Sequence, residues 1–493
     1  MNSNDLKNKG LNAVFWNLSG TLLKQGISFV ISLFLARLLT PTDFGIVGMA
    51  TVFITFTQGF ADLGLSSALI QLKEPTQKQY SSVFYFNMFI ALILAITLFS
   101  SAEPIAKFYN EQEIKPIVQF ISYSFLINAL TSVQWAILYK NLDVKKTRLA
   151  SIISSIIAGI VGVSLAFSGY GVWSVVYSGF VGSIVSVGII WYRSTWRPSL
   201  FFSIKEIKSL FPFGFRVFII NYMQEVYDKV DILIIGKIFQ PATLGFYFRA
   251  SSFNQLITKY TSQSLSGVFF PVISKLQDNK EEIRRVFTKT LQTVCFLSLL
   301  LSGILYVNAE PLIILLFTAK WQPAVSLFQI LVFSSYVFPM TLIFNGVLLG
   351  TGNSERQLKL EVWKKVLGII GLLIGFIFGL TGYLWSLAIT ATLGLFLSVY
   401  FIEKTIQIKV VASLGYIYAY ALPMLVGIFI TQFINSLFDF HHVIKLAINT
   451  CCFLTSYLGL CFLLKLKGYH YVIKLLQEFV SQRFNTLLQK KYE

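Results

Sequence analysis

The chain has 493 residues, 55% of them hydrophobic and only 13% charged, with a mean hydropathy of +0.69 and a formal net charge of +18. Length alone suggests roughly three soluble domains, but soluble domains could not hide so much apolar side chain, so the bilayer is the expected solvent. Cys295, Cys451, Cys452 and Cys461 all lie in apolar runs, and with three histidines and no HExxH or CxxC spacing no metal, cofactor or disulfide framework is expected.

The chain opens on the polar "MNSNDLKNKGLNAVFWNLSG" and runs into a long apolar span without an A-x-A site, so no cleavable signal peptide is expected. Apolar stretches of about 20 residues can cross a hydrocarbon core of roughly 30 Å. Such stretches fall at 14–38, 44–70, 81–101, 117–138, 149–167, 172–192, 211–236, 244–270, 290–308, 324–349, 362–379, 383–402, 414–434 and 443–464, which makes fourteen expected spans. The gaps between them alternate in charge. With basic residues in the first or last turn of a span counted with the adjoining gap, one alternating set, which holds both termini, carries 29 of the 40, the other set carries 6, and 5 lie deeper inside spans. By the positive-inside rule the rich set is cytoplasmic, with both termini on that side, and the basic surplus sets topology instead of binding nucleic acid.

The spans repeat. "ARLLTPTDFGIVGMA" (36–50) matches "GKIFQPATLGFYFRA" (236–250), pairing Pro41 with Pro241 and Gly45 with Gly245. "AEPIAKFYNEQEIKPIVQF" (102–120) matches "AEPLIILLFTAKWQPAVSLFQ" (309–329), and "SGYGVWSVV" (168–176) loosely matches "LTGYLWSLA" (380–388). Six spans per copy make the repeats parallel. The expected fold is an all-α polytopic membrane protein of two six-helix bundles facing a central cavity, with two further C-terminal helices. Its divisions are an N-terminal lobe (1–193), a linker helix lying on the inner surface (194–210), a C-terminal lobe (211–410), the two additional spans (411–466) and an amphipathic cytoplasmic tail (467–493).

Charge inside the hydrocarbon layer costs about 2.5–3.5 kcal/mol on the translocon scale, so such residues normally face a bundle interior. Span one holds Lys24, with no acid three or four residues away, and span two holds Asp62. Span seven, "FGFRVFIINYMQEVYDKVDILIIGK", carries Arg216, Glu225, Asp228, Lys229 and Asp231, and Asn221, Gln224, Glu225 and Asp228 share one helical stripe. Span eight adds Arg249 and Lys259. The cavity candidates are therefore Lys24, Asp62, Arg216, Asn221, Glu225, Asp228, Lys229, Arg249 and Lys259. The structural alternatives are an i,i+4 pair for Glu225 and Lys229 and a snorkelling role for Arg249.

"LARLLTPTDFGIVGMATVF" followed by "ADLGLSSALIQ" (61–71) resembles the first hairpin of Wzx-type flippases, the polysaccharide-transporter branch of the multidrug/oligosaccharidyl-lipid/polysaccharide exporters. That resemblance implies alternating access, a location in the bacterial cytoplasmic (inner) membrane, and an undecaprenyl-pyrophosphate-linked glycan as substrate. It also implies membrane lipids and a polysaccharide polymerase with chain-length machinery as partners. Cations would meet the pyrophosphate, with Lys24, Arg216, Arg249 and Lys259 as head-group candidates. Two other classes compete. A cation-coupled multidrug antiporter of the same fold would use Asp62 or the span-seven acids. An enzyme polymerising or ligating the same glycan would need catalytic groups in an outer loop, and the longest such loop, 102–116, offers Glu103, Glu111 and Glu113 without a nucleophile constellation. No Walker A motif is present to support ATP hydrolysis.

Overall fold

A computed structural model describes residues 3–438, 440–475, 477, 478 and 481, with side chains described at 12–255 and, within those ranges, from 269 onward. The described residues form twenty α-helices and no strand. In chain order they are α1 (Ser3–Leu38), α2 (Pro41–Gln58), α3 (Leu65–Gln71), α4 (Gln77–Ser100), α5 (Ala102–Tyr109), α6 (Ile114–Ala129), α7 (Ser132–Lys140), α8 (Val144–Phe167), α9 (Val172–Arg193), α10 (Ile204–Tyr227), α11 (Val230–Ile238), α12 (Pro241–Lys275), α13 (Lys280–Val307), α14 (Ala309–Phe317), α15 (Ala324–Ser334), α16 (Val337–Gly350), α17 (Ser354–Ile377), α18 (Gly379–Ile406), α19 (Val410–Leu437) and α20 (His442–Leu463). Among the described residues, nine stretches are long and apolar enough to cross a membrane, or ten when the pair α6 and α7, bent by 42°, counts as one span. The chain is a multi-pass membrane protein. Each of the fourteen expected spans is helical, but several are built from two helices meeting at a break: α2 with α3, α6 with α7, α10 with α11, and α15 with α16.

Local sequence explains the starts and breaks. Thr40 caps α2, accepting from the Asp43 N–H at 3.2 Å while Asp43 accepts from the Thr40 N–H at 2.8 Å, and Pro41 takes the first helical position. Thr76 and Gln79 make the same reciprocal cap on α4. Between α2 and α3 the backbone turns left-handed at Leu63 (φ 46°) and Gly64 (φ 74°). Glycine is required at 64 for a second reason: a Cβ there would lie 2.0 Å from the Gly214 carbonyl oxygen on α10. At the far end of α3, Lys140 donates to the Ile70 and Leu72 carbonyls, which satisfies helix-terminal acceptors.

Contacts divide the chain into two compact units, Met1–Phe248 and Arg249–Glu493. In the first, α3, α4, α7 and the start of α10 share a core of Leu65, Leu69, Val83, Phe84, Val133, Ile207 and Leu210. Residues 194–203 are not helical, and the helix that begins at Ile204 runs on without interruption as α10. The expected inner-surface segment is thus a non-helical stretch followed by the first turns of span seven, with Ile207 and Leu210 turned into that core. The repeat matched by sequence is visible as local geometry in this unit. A Cβ on Gly45 would sit 1.8 Å from the Pro241 carbonyl oxygen, and a Cβ on Gly245 would sit 1.9 Å from that of Pro41. Equivalent residues of α2 and α12 therefore pack against each other reciprocally, backbone to backbone.

In the second unit α13 is wrapped by α16, α18, α19 and α20 around Phe287, Phe296, Phe344, Tyr420, Phe453 and Tyr457. The Tyr457 hydroxyl donates to the Phe296 carbonyl at 2.9 Å, and Lys445 of α20 pairs with Glu310 of α14 at 2.7 Å. Those bonds fasten α20 to this unit, and α19 joins it through Tyr420 in the shared core. The short helices α5 and α14 open with the matched Ala-Glu-Pro segments. On α5, Glu103 is engaged by Lys115 at 2.8 Å and Lys107 at 3.4 Å, and the hydrogen bond and charge of Lys115 chiefly hold its carboxyl below the usual carboxylate range. A carboxylate so engaged is poorly placed to serve as a general acid.

Candidate functional site

The expected site residues fall in four places. Lys24 lies midway along α1, half-buried, on a stripe with Ala13, Asn17 and Gly20 that recurs every three or four residues and packs on α8. The opposite face of α1 exposes Val14, Phe15, Leu18, Leu22, Val30 and Phe34. Among the described residues no carboxylate lies within ion-pair distance of Lys24. On the same face of α1, about one turn before Lys24, the Arg148 side chain of α8 lies against Gly20.

Asp62 sits at the break between α2 and α3. Its carboxylate caps α3, accepting from the Ser66 N–H at 3.0 Å, from the Ser66 hydroxyl at 2.6 Å and from Asn87 Nδ2 at 2.8 Å. Asn87 is fully buried and also donates to Ser132 Oγ at 3.0 Å, which ties α4 and α7 to the same acid. The arrangement gives Asp62 neutral donors only.

Span seven divides at its polar stripe. α10 ends at Tyr227 and α11 starts at Val230, so Asp228 and Lys229 lie in the break and not on one continuous helix. Asn221, Gln224, Glu225 and Asp228 are exposed, with Gln224 donating to Asp228 Oδ1 at 2.8 Å. Arg216 is also exposed, and its Nε donates to the Pro212 carbonyl at 2.9 Å. The break opens the i,i+4 register, and no Glu225–Lys229 ion pair is found among the described residues. Asp231, in the first turn of α11, accepts from the Tyr247 hydroxyl and, at 2.7 Å, from the Ile232 N–H.

Arg249 is only 7% exposed, and its guanidinium lies 5.0 Å from the Phe317 ring centre and 5.4 Å from that of Trp321. Its charge rests on the faces of two buried aromatics, the cation–π arrangement that lets a guanidinium leave water at reduced cost. The side chain of Lys259 lies outside the described residues.

The structure therefore places the expected residues in distinct settings: a lysine on the packed stripe of α1, a capped acid at the α2–α3 break, an exposed polar stripe at the end of α10, and a caged arginine on α12. Sequence reasoning assigned Arg148 to a cytoplasmic gap and missed its place against Asn17 and Gly20 of α1. α8 begins at Val144, five residues before the apolar run, which carries Arg148 onto the helix beside α1. Asn17, Gly20 and Lys24 at helical spacing were the available signal.

Residues 34–326 match the sequence model of the polysaccharide biosynthesis protein family, which is more than half of the chain. The chain belongs to that family. The match covers Asp62, Arg148, the α10 stripe and Arg249, whereas Lys24 precedes it. Among the relatives of this polysaccharide biosynthesis protein, the succinoglycan biosynthesis transport protein ExoT of Rhizobium meliloti (strain 1021) is 26% identical over 340 residues, 69% of either chain. The lipopolysaccharide biosynthesis protein WzxC of Escherichia coli (strain K12) is 23% identical over 384 residues, 75% of this chain and 76% of its own. The lipid II flippase MurJ, solved in an inward closed conformation, superposes with a TM-score of 0.74 at 16% identity, covering 93% of this chain and 100% of that one. At that identity the likeness is one of fold.

Proposed function

We propose that this family member is a flippase carrying undecaprenyl-pyrophosphate-linked oligosaccharide units from the cytoplasmic to the periplasmic leaflet of the bacterial inner membrane, by alternating access, for surface polysaccharide biosynthesis. The observation that carries the reading is Lys24: an ammonium partway along an apolar span, with no carboxylate paired to it among the described residues and a second cation, Arg148, against Gly20 about one turn away. Such a charge calls for an anionic visitor. The pyrophosphate meets Lys24. The sugars meet the exposed polar face of α10. The polyprenyl chain stays in lipid. Relatives named for polysaccharide biosynthesis and transport support the same substrate class, and a polymerase with its chain-length machinery would receive the product. The test is reconstitution. Purified protein in liposomes should move a fluorescent undecaprenyl-pyrophosphate oligosaccharide between leaflets, and a protein that instead binds and exports a cationic dye would be a multidrug antiporter.

Fourteen crossings and two cytoplasmic termini belong to this reading, as do the six-helix lobes at 1–193 and 211–410. Cysteines placed at Thr42 and Ala242, in the starts of α2 and α12, should react with an impermeant thiol reagent from the periplasmic side. Labelling from the cytoplasmic side alone would overturn the topology. The α10 stripe makes a second expectation. Glu225→Gln and Asp228→Asn should each impair transport at normal abundance, because both carboxylates are exposed on the polar stripe of an expected membrane span. If both variants lost abundance while each remaining molecule transported normally, their role would be to hold the helix break.

A further inference from the structure

The surface between α1 and α8 carries more than Lys24. Arg148 lies flat across Gly20: a Cβ built there would be 2.8 Å from its Cβ, 3.0 Å from its Cγ and 3.4 Å from its Cδ. Only glycine at that position lets the arginine side chain run along α1. Its Nη2 donates to Asn17 Oδ1 and, at 3.5 Å, to the Tyr139 hydroxyl, while its Nε is buried without a partner among the described residues. One helical turn toward the α8 start, the Lys145 ammonium stands 5.0 Å from the Trp16 ring centre. An open pocket of about 360 Å³ adjoins these groups, lined by Asn12, Ala13, Trp16, Asn141, Asp143 and Lys145. The acid in that lining, Asp143, is already bound to Lys146 at 2.7 Å. Lys145 and Arg148 of α8 and Lys24 on the packed stripe of α1 thus follow one another along the line where the two helices meet, and among the described residues no carboxylate is paired with any of them.

Like charges gathered where two helices meet repel one another, and removing them from water costs more still. Neutral partners such as Asn17 and Tyr139 orient Arg148 without cancelling its charge. What cancels it is a mobile anion of two or more charges, and a planar guanidinium matches phosphate oxygens better than an ammonium does.

Resting on the flippase reading, we propose that Arg148 and Lys24 form a loading track for a diphosphate head group between α1 and α8, which the anion reaches through the pocket at Trp16 and Lys145. Arg148 takes the diphosphate first. Lys24, about one and a half to two turns further along α1 than Asn17, takes it next. Arg148 is a binding residue of this track, held in place by Asn17 and Gly20.

The test measures binding of undecaprenyl diphosphate to the purified full-length protein in nanodiscs, with undecaprenyl monophosphate and inorganic pyrophosphate as comparison probes. Arg148→Gln keeps a polar hydrogen-bonding side chain and removes the charge. It should weaken undecaprenyl diphosphate binding roughly tenfold or more, the factor a charge-assisted hydrogen bond carries. Arg148→Lys should recover part of the loss, and the melting temperature of both variants should stay that of the wild type. The monophosphate should bind more weakly to the wild type and lose less on substitution. Asn17→Ala separates binding from scaffolding: it should weaken binding less than Arg148→Gln does. Wild-type binding with no change in Arg148→Gln would overturn the track and leave the flippase reading standing. A loss in Arg148→Gln matched by an equal fall in melting temperature would make Arg148 a helix clamp and also overturn it. A wild type that binds none of the three probes would overturn the flippase reading along with the track.

Discussion

Lys24→Ala is expected to abolish surface-glycan display, returning cells to the phenotype of the gene deletion while the protein stays at normal abundance. The ammonium lies on the packed stripe of α1 with Asn17 and Gly20, and no carboxylate among the described residues is paired with it. Its removal takes away a charge-assisted contact to the head group worth about 1.5–3 kcal/mol, roughly ten- to 150-fold in binding. In a carrier the loss is larger than in a static site, because the charge must be compensated throughout the crossing. Lys24→Arg should retain part of the activity, since charge survives while donor geometry changes. The measurement is glycan at the cell surface in a deletion strain carrying each variant, with membrane protein quantified in parallel. Full display with Lys24→Ala at normal abundance would remove Lys24 from the site.

Gly45→Ala and Gly245→Ala should each destabilise the protein strongly, although alanine ordinarily favours a helix over glycine by about 0.5–1 kcal/mol. The close approach decides the sign. The new Cβ would lie 1.8 Å or 1.9 Å from a proline carbonyl oxygen of the repeat-related helix, far inside van der Waals contact. The obstacle is backbone, so no side-chain rotation relieves it, and overpacking of this kind costs about 1–3 kcal/mol, occasionally more. Gly26 and Gly179 serve as controls, because a Cβ at either meets nothing within 4 Å. Alanine there should leave melting temperature in detergent unchanged or slightly raised. Each of the Gly45 and Gly245 variants should melt several degrees lower, and because both substitutions push apart the same pair of helices, their effects together should be smaller than the sum. Unchanged melting of Gly45→Ala would mean that α2 and α12 separate there at little cost.

Much of this was open to reading from the sequence, for definite reasons. Membrane residence follows from composition, because hydrocarbon imposes one chemistry over some twenty residues at a time. The repeat follows from Pro41, Gly45, Pro241 and Gly245, whose identities are required by helix starts and by close backbone approach. Lys24 and the span-seven acids stood out because a charge in an apolar run is conspicuous without any structure.

Other properties depended on which helices meet. A sequence shows that "ADLGLSS" contains an acid, but only the left-handed turn at Leu63 and Gly64 makes Asp62 the cap of α3 and brings Asn87 and Ser132 to it. The stripe of span seven looked continuous because periodicity counts residues and is blind to a break such as the one at Asp228 and Lys229. Arg249 read as a cavity cation, and its neighbours Phe317 and Trp321 come from a segment about 70 residues away. Arg148 read as a loop charge because hydropathy locates the apolar part of a helix and not its first turn. Its position against Gly20 arises from α8 packing on α1. By itself the sequence determined the solvent, the helical class and the duplication, since each is written in local side-chain chemistry. Tertiary structure decided which charges are capped, caged or left facing one another, because a charge acquires its role from partners that lie far away along the chain.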